Sequence, residues 1–195
     1  MRWTVFAFFA YVFLALDTGL RPMLQIGDSA VAPSFMLILM VWIASMGPTH
    51  AVRWAALILG LLLDLSISYP TTPEAGGAVA VVAGPYALGF VLGAALTLQL
   101  RGLVYRRHPL TTGFLTLIAG ACAFVPAIFL LTMRRIILTG MGSEHVIQWV
   151  ASAELVHAFL TVLYSSLIAV PVGWILNRTT GLFGFQSHPR LGHPR

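Results

Sequence analysis

Two groups of residues in this chain have the types and spacing that chemistry requires. The first is Asp64, set in "LILGLLLDLSISYP" (residues 57–70), a run that is otherwise mostly apolar. An unpaired Asp at the centre of a membrane helix costs about 2.5–3.5 kcal/mol, so Asp64 has to face protein, water or a cation. Structurally, it would bond a neighbouring helix, with Arg21, Tyr69 or Tyr86 as partners, and Asp64→Asn would then preserve the fold. Functionally, it would contact a partner protein or a solute in an outward cavity. The second group is Glu154 and His157, spaced i, i+3 at the start of the last apolar segment. Glu-x-x-His is half of the di-iron motif of helical bundles, whose site needs two such motifs and two further carboxylates. Only one is present, so the pair reads as hydrogen-bonded near the outer interface, and no metal or cofactor is expected.

Other reactive constellations are missing from the sequence. Ser165 and Ser166 have no evident base one turn away, and there is no G-x-S-x-G elbow. Lys is absent, which excludes a P-loop. The single cysteine, Cys122, permits no internal disulfide and no cysteine-based metal site, and it reads as a small buried apolar residue. His50, His108, His188 and His193 show no ligand spacing. No basic run is interleaved with aromatics, so nucleic acid is not an expected partner. The chain reads as no enzyme.

The elements that must position these residues are membrane helices. Of the 195 residues, 58% are hydrophobic and 9% charged, about a third of the charge of a soluble domain. Apolar runs near the ~20 residues needed to cross a bilayer recur along the chain. The expected fold is all-α: a polytopic membrane protein with six spans, near residues 3–20, 31–47, 51–69, 76–99, 112–132 and 154–176. The N-terminal run lacks a small-x-small cleavage site and reads as a retained first span rather than a signal peptide. Residues 1–177 form one membrane domain, and 178–195 a basic, flexible cytoplasmic tail. The connection "RRIILTGMGSEHVIQWVASAE" mixes polar and apolar residues and would lie partly along the interface, with Trp149 at that depth. Trp3, Tyr69, Tyr105, Trp149 and Trp174 flank spans as an aromatic belt. No internal repeat is apparent.

Charge sets the orientation. All 11 basic residues are Arg. Eight (Arg2, Arg53, Arg101, Arg106, Arg107, Arg178, Arg190, Arg195) fall on the side of the termini, and three (Arg21, Arg134, Arg135) on the other. The positive-inside rule then places both termini in the cytoplasm. All six acids fall toward the outer face. Asp64 lies five residues from the end of the third span, a depth of roughly 7–8 Å at 1.5 Å per residue. The densest basic stretch, "RGLVYRRHPL" (101–110), reads as an anchor for anionic lipid headgroups at the cytoplasmic face, or as a dock for a cytoplasmic partner.

Small residues set the packing. Ala56, Gly60, Asp64 and Ser68 recur every fourth residue and would form one stripe on the third helix. In the fourth, Ala80 with Gly84 and Gly89 with Gly93 repeat that spacing, and "GFVLG" is a GxxxG pattern. The third and fourth helices are therefore expected to pack closely through these faces, with a kink at Pro85.

The order of these features resembles the rod-shape-determining protein MreD family over most of residues 1–176. The resemblance rests on a Pro opening the second span (Pro33), "GLLLDL" at 60–65, the Gly-rich "GPYALGFVLGAAL" and the basic loop "YRRHPL". Gly60, Asp64 and Pro109 match the family's pattern, whereas "SYPTTPEAGG" replaces its usual short "PLG"-type turn. The resemblance implies a fold similar to the substrate-binding subunits of energy-coupling-factor transporters. It implies a non-enzymatic inner-membrane scaffold of the cell-wall elongation machinery, working with an MreC-like protein, MreB-like filaments and peptidoglycan synthases. Gly60, Asp64, Gly89, Gly93, Arg106, Arg107, Pro109, Glu154 and His157 are then candidates for partner contact or helix packing. The alternative is a small-solute-binding subunit of a membrane transporter. Ala7, Ala10 and Ala15 miss the every-fourth spacing with which such subunits dock, and the only polar groups available to a pocket, Asp17, Asp64, Glu154 and His157, would have to converge.

Overall fold

Breakers decide where the helices begin. Ser34 caps one helix by accepting a hydrogen bond from the Leu37 N–H at 3.3 Å. Pro48 precedes another, and Pro85 occupies the first position of a third, where its missing N–H would have had no partner. In this computed structural model, residues 1–27, 31–70, 79–103, 109–141 and 150–184 are described. Their elements are α1 (Trp3–Gly19), α2 (Arg21–Leu24), α3 (Phe35–Met46), α4 (Thr49–Ser66), β1 (Ser68–Pro70), β2 (Val79–Val81), α5 (Pro85–Leu100), α6 (Pro109–Gly140) and α7 (Ala151–Arg178). The fold is mostly helical. Its one departure among the described residues is the antiparallel hairpin β1–β2, in which Tyr69 pairs with Ala80.

The core is organised around a short helix. Every residue of α3 from Phe35 to Ser45 is buried. At 1.5 Å per residue its 12 residues span about 18 Å. A helix that is hydrophobic all round belongs inside other helices, and α3 touches α1, α4, α5, α6 and α7. The others wrap it in chain order, α4 against α5, α5 against α6 and α6 against α7. The outward faces stay apolar, with Phe8 and Tyr11 on α1, Val125 and Phe129 on α6, and Phe159, Leu163 and Leu167 on α7 all exposed. Three helices, Thr49–Ser66, Leu110–Gly140 and Ala151–Arg178, are long and apolar enough to cross a membrane; α1, α3 and α5 are shorter apolar helices.

Several expected boundaries move. The fourth apolar segment (76–99) is not one helix: Val79–Val81 is a strand, and α5 starts at Pro85. Ala80 and Gly84 therefore share no helical face, and Pro85 opens the helix instead of kinking it. Likewise α4 stops at Ser66, so Ser68 leaves the stripe for β1. Asp64 then lies two residues from the helix end, about 3 Å deep rather than 7–8 Å. The fifth helix runs on through Arg134 and Arg135 to Gly140, where a loop was expected. Trp149 lies outside the described residues. The tail's first residues are packed: Phe183 is fully buried between Phe9 and Trp42, and its carbonyl accepts the Arg2 N–H at 3.1 Å. Residues 185–195 lie outside the described set.

Candidate functional site

Asp64 occupies the last turn of α4 with its carboxyl turned toward the start of α5. It is 1% exposed. Its Oδ2 accepts the N–H groups of Gly84 at 2.9 Å and Ala87 at 3.0 Å, and its Oδ1 accepts that of Tyr86 at 3.0 Å. These are first-turn donors that have no intrahelical partner, and the negative end of a carboxyl suits the positive end of the helix dipole. One side chain of α4 thus caps α5 across the helix interface. The expected partners Arg21, Tyr69 and Tyr86 did not include this arrangement, because the Tyr86 backbone, not its phenol, makes the bond. Gly84 supports it with φ of 122°, a backbone angle that L side chains rarely adopt.

The approach that brings these groups together runs through Gly60. A Cβ there would sit 2.5 Å from Ala87 Cα and 2.7 Å from the Tyr86 carbonyl oxygen. α4 and α5 thus meet backbone to backbone, one turn below Asp64. Gly89 and Gly93 face elsewhere. Gly89 abuts the Ala123 carbonyl, and a Cβ on Gly93 would lie 2.7 Å from the Ala119 carbonyl oxygen, both on α6. The GxxxG pattern therefore serves the α5–α6 contact, not the expected one with the preceding helix. Pro109 opens α6, while Arg106 and Arg107 lie outside the described residues.

A second carboxyl, expected from the sequence only as one of the polar groups available to a solute pocket, does the same work. Asp17, three residues from the end of α1 counting itself, accepts the Phe35 N–H at 2.6 Å and the Met36 N–H at 2.9 Å, capping α3. Ser34 Oγ donates to it at the long distance of 3.5 Å. The Ser34 N–H goes instead to Ser165 Oγ on α7 at 2.8 Å. That gives Ser165 a structural role in place of a nucleophilic one. The two capped segments also match in sequence: "LALD" (14–17) against "LLLD" (61–64), and "VAPSFML" (31–37) against "VAGPYAL" (82–88). A repeat is present after all. The differing separations between each Asp and its first capped N–H, 18 residues for Asp17 and 20 for Asp64, had disguised it.

Beside Asp17 lies a cavity of about 320 Å³. It opens where α1 and α4 end and α3, α5 and α7 begin. Asp17, Arg21, Glu154 and His157 are among its polar lining residues, and Leu14, Leu63, Phe124 and Ile128 among its apolar ones. Asp64 is not among the lining residues. Glu154 and His157 share one face of α7 but form no hydrogen bond or ion pair with each other among the described residues, so the expected bonded pair is not made. No group of three His, Cys, Asp or Glu side chains suited to a metal ion occurs among the described residues. The hairpin lies close by: Tyr69 packs on the α6 pair Ile128 and Leu131 and hydrogen-bonds with Tyr86. Burial pushes the Tyr69 phenol well above its ordinary range, and Tyr86 adds to that push.

At the opposite end, Arg101 at the close of α5 donates to the Gly47 carbonyl at 2.6 Å, tying the α3–α4 turn. Trp42 Nε1 donates to Asn177 Oδ1 at 3.0 Å, joining the centre of the bundle to α7. Compared with known protein families, characterised proteins and solved structures, the chain finds no match.

Proposed function

We propose that the chain is a non-enzymatic integral membrane scaffold of the MreD type in a bacterial cytoplasmic membrane. In this reading it links an MreC-like protein, peptidoglycan synthases and MreB-like filaments. The observation that carries it is the place of "GLLLDL", the most specific piece of the resemblance. Its Gly60 and Asp64 are the residues that fasten α4 to α5. The residues that carry the likeness are thus ones the architecture depends on. The chain would cross six times, with α1, α3 and α5 completing the count begun by the three long helices. Both termini would be cytoplasmic, with the basic loop 101–110 against anionic lipid. Asp64 acts through the fold, because its oxygens are already engaged and a partner cannot reach them.

Affinity purification of the tagged protein in mild detergent, with mass spectrometry of what accompanies it, tests the scaffold. Recovery of an MreC-like protein or a wall synthase supports it; an ATP-driven coupling subunit instead would replace it with the transport reading. A reporter fused at Arg195 tests orientation, since a periplasmic signal overturns it. The transport reading, a subunit that binds a small solute, draws on one observation: Asp17, Glu154 and His157 converge on a single cavity with Arg21.

A further inference from the structure

We infer that the cavity at the ends of α1 and α4 and the starts of α3, α5 and α7 is a binding site for a small zwitterion with an apolar body, of the size of an aliphatic amino acid or dipeptide. The inference concerns what the cavity holds and stands equally for a scaffold and for a transport subunit.

Its volume, about 320 Å³, falls at the lower end of the range for small-molecule sites. The charges come from different elements. Asp17 is committed, with both oxygens bonded to the start of α3. That leaves Arg21 from α2 and the Glu154–His157 face from α7. A guanidinium presents a fork of donors that matches a carboxylate. An acidic side chain with an imidazole one turn away offers acceptors for an ammonium group. Neither the Glu154 nor the His157 side chain has a hydrogen-bond or ion-pair partner among the described residues. Leu14, Leu63, Phe124 and Ile128 form the dry part of the wall, which sets the ligand apart from a purely ionic one. A metal ion does not fit, for want of a third ligand among the described residues. Arg21 is exposed at the rim of the cavity and Glu154 and His157 are half-buried, so a ligand that carries both charges engages both walls, whereas a single-charge ligand engages one.

The test is the thermal unfolding midpoint of the full-length protein in mild detergent with three matched probes and a dipeptide. L-leucine carries both charges, 3-methylbutylamine lacks the carboxylate, and 4-methylpentanoate lacks the amine. L-alanyl-L-leucine extends the size. A ligand that binds only the folded state raises the midpoint by several degrees when it is well above its Kd. The expected result is a rise with L-leucine or the dipeptide that exceeds the rise with either single-charge analogue. Arg21→Gln and Glu154→Gln should each abolish that rise while leaving the elution profile and helical circular dichroism unchanged. Three results would overturn the inference. They are no rise with either zwitterion, an equal rise with the amine or the acid alone, and a rise that survives both substitutions. If either variant fails to fold, the probe comparison on the unaltered protein still decides. Loss of partner recovery in the purification experiment does not bear on this result, so the two readings fail separately.

Discussion

At Asp64, a carboxyl that is 1% exposed accepts three backbone N–H groups from the start of α5. At Asp17, a half-buried carboxyl accepts two from the start of α3 and borders a cavity. The positions correspond one by one. Phe35 and Tyr86 each donate to Oδ1, and Met36 and Ala87 each donate to Oδ2. The third donor differs. Gly84 supplies an N–H to Asp64, whereas Pro33, at the matching place, has none to give. The Ser34 hydroxyl fills that gap only at 3.5 Å. The same joint is therefore closed in one half of the molecule and open in the other. In the closed half, both carboxyl oxygens are taken up by backbone N–H groups. In the open half, the joint fixes the wall of a polar cavity that Arg21, Glu154 and His157 also line. Intramembrane acids are candidates for function by default. Here the more deeply buried one serves the architecture and the shallower one lies where a ligand would be.

The sharpest break of this comparison is Asp64→Leu set against Asp17→Leu. Each buried donor left without an acceptor costs about 1–3 kcal/mol. Asp64→Leu orphans three, and a loss of about 4 kcal/mol is expected, enough to remove the monodisperse peak in size exclusion. Asp17→Leu orphans two beside a cavity that admits water, and about half that loss is expected. Equal shifts in unfolding midpoint would show that the closed and open joints do not differ energetically.

Gly60→Ala comes next. Its Cβ would meet backbone atoms of Tyr86 and Ala87, which cannot rotate away. Overpacking of this kind costs about 1–3 kcal/mol, and the upper half of that range is expected. Helix separation would also lengthen the three Asp64 bonds, so Gly60→Ala and Asp64→Leu should be less than additive in a double-mutant cycle. Full additivity would separate the close approach from the cap.

Asp64→Asn ranks third: the fold should be preserved, as the sequence led one to expect for a hydrogen-bonding role, but at a cost in stability. With its oxygen at the Oδ2 position, Asn keeps the bonds from Gly84 and Ala87. Its amide NH2 then faces the Tyr86 N–H, donor against donor. A loss of about 2 kcal/mol follows from that unsatisfied N–H, read as a lower unfolding midpoint. An unchanged midpoint would mean that Tyr86 N–H finds another acceptor.

The helical class, the apolar segments and the importance of Gly60 and Asp64 were legible because each is a local pattern: a run, a spacing or a polar residue in an apolar context. The joint itself was not, because its side-chain acceptors and backbone donors are 18 to 23 residues apart. Composition also concealed the hairpin. "SYPTTPEAGGAVAVVAG" reads as loop and helix start by hydropathy, yet Pro85 and Gly84 fix the helix start late and free Val79–Val81 to pair with Ser68–Pro70. Gly89 and Gly93 announce close packing without naming the neighbour. Asp17 was legible as a polar group for a pocket but not as a cap, whose signal was the Leu-x-Leu-Asp ending it shares with Asp64. Convergence of Arg21, Glu154 and His157 depends on how three helices wrap α3, which no window of sequence contains.

Asp17→Asn should have the smallest effect, and it probes the open joint most directly. Asn keeps one of the two backbone bonds and turns its NH2 toward the other N–H, the fault that costs Asp64→Asn about 2 kcal/mol. Here, however, the carboxyl borders the cavity. A water molecule with polar partners on several sides can accept from the stranded N–H nearly as well as a protein group. The expected loss is therefore under about 1 kcal/mol. Filling the cavity with L-leucine should widen the gap between Asp17→Asn and the unaltered protein, because the ligand displaces the compensating water. A loss as large as that of Asp64→Asn, with or without ligand, would mean that the Asp17 joint is as closed as its counterpart and that water does not reach it.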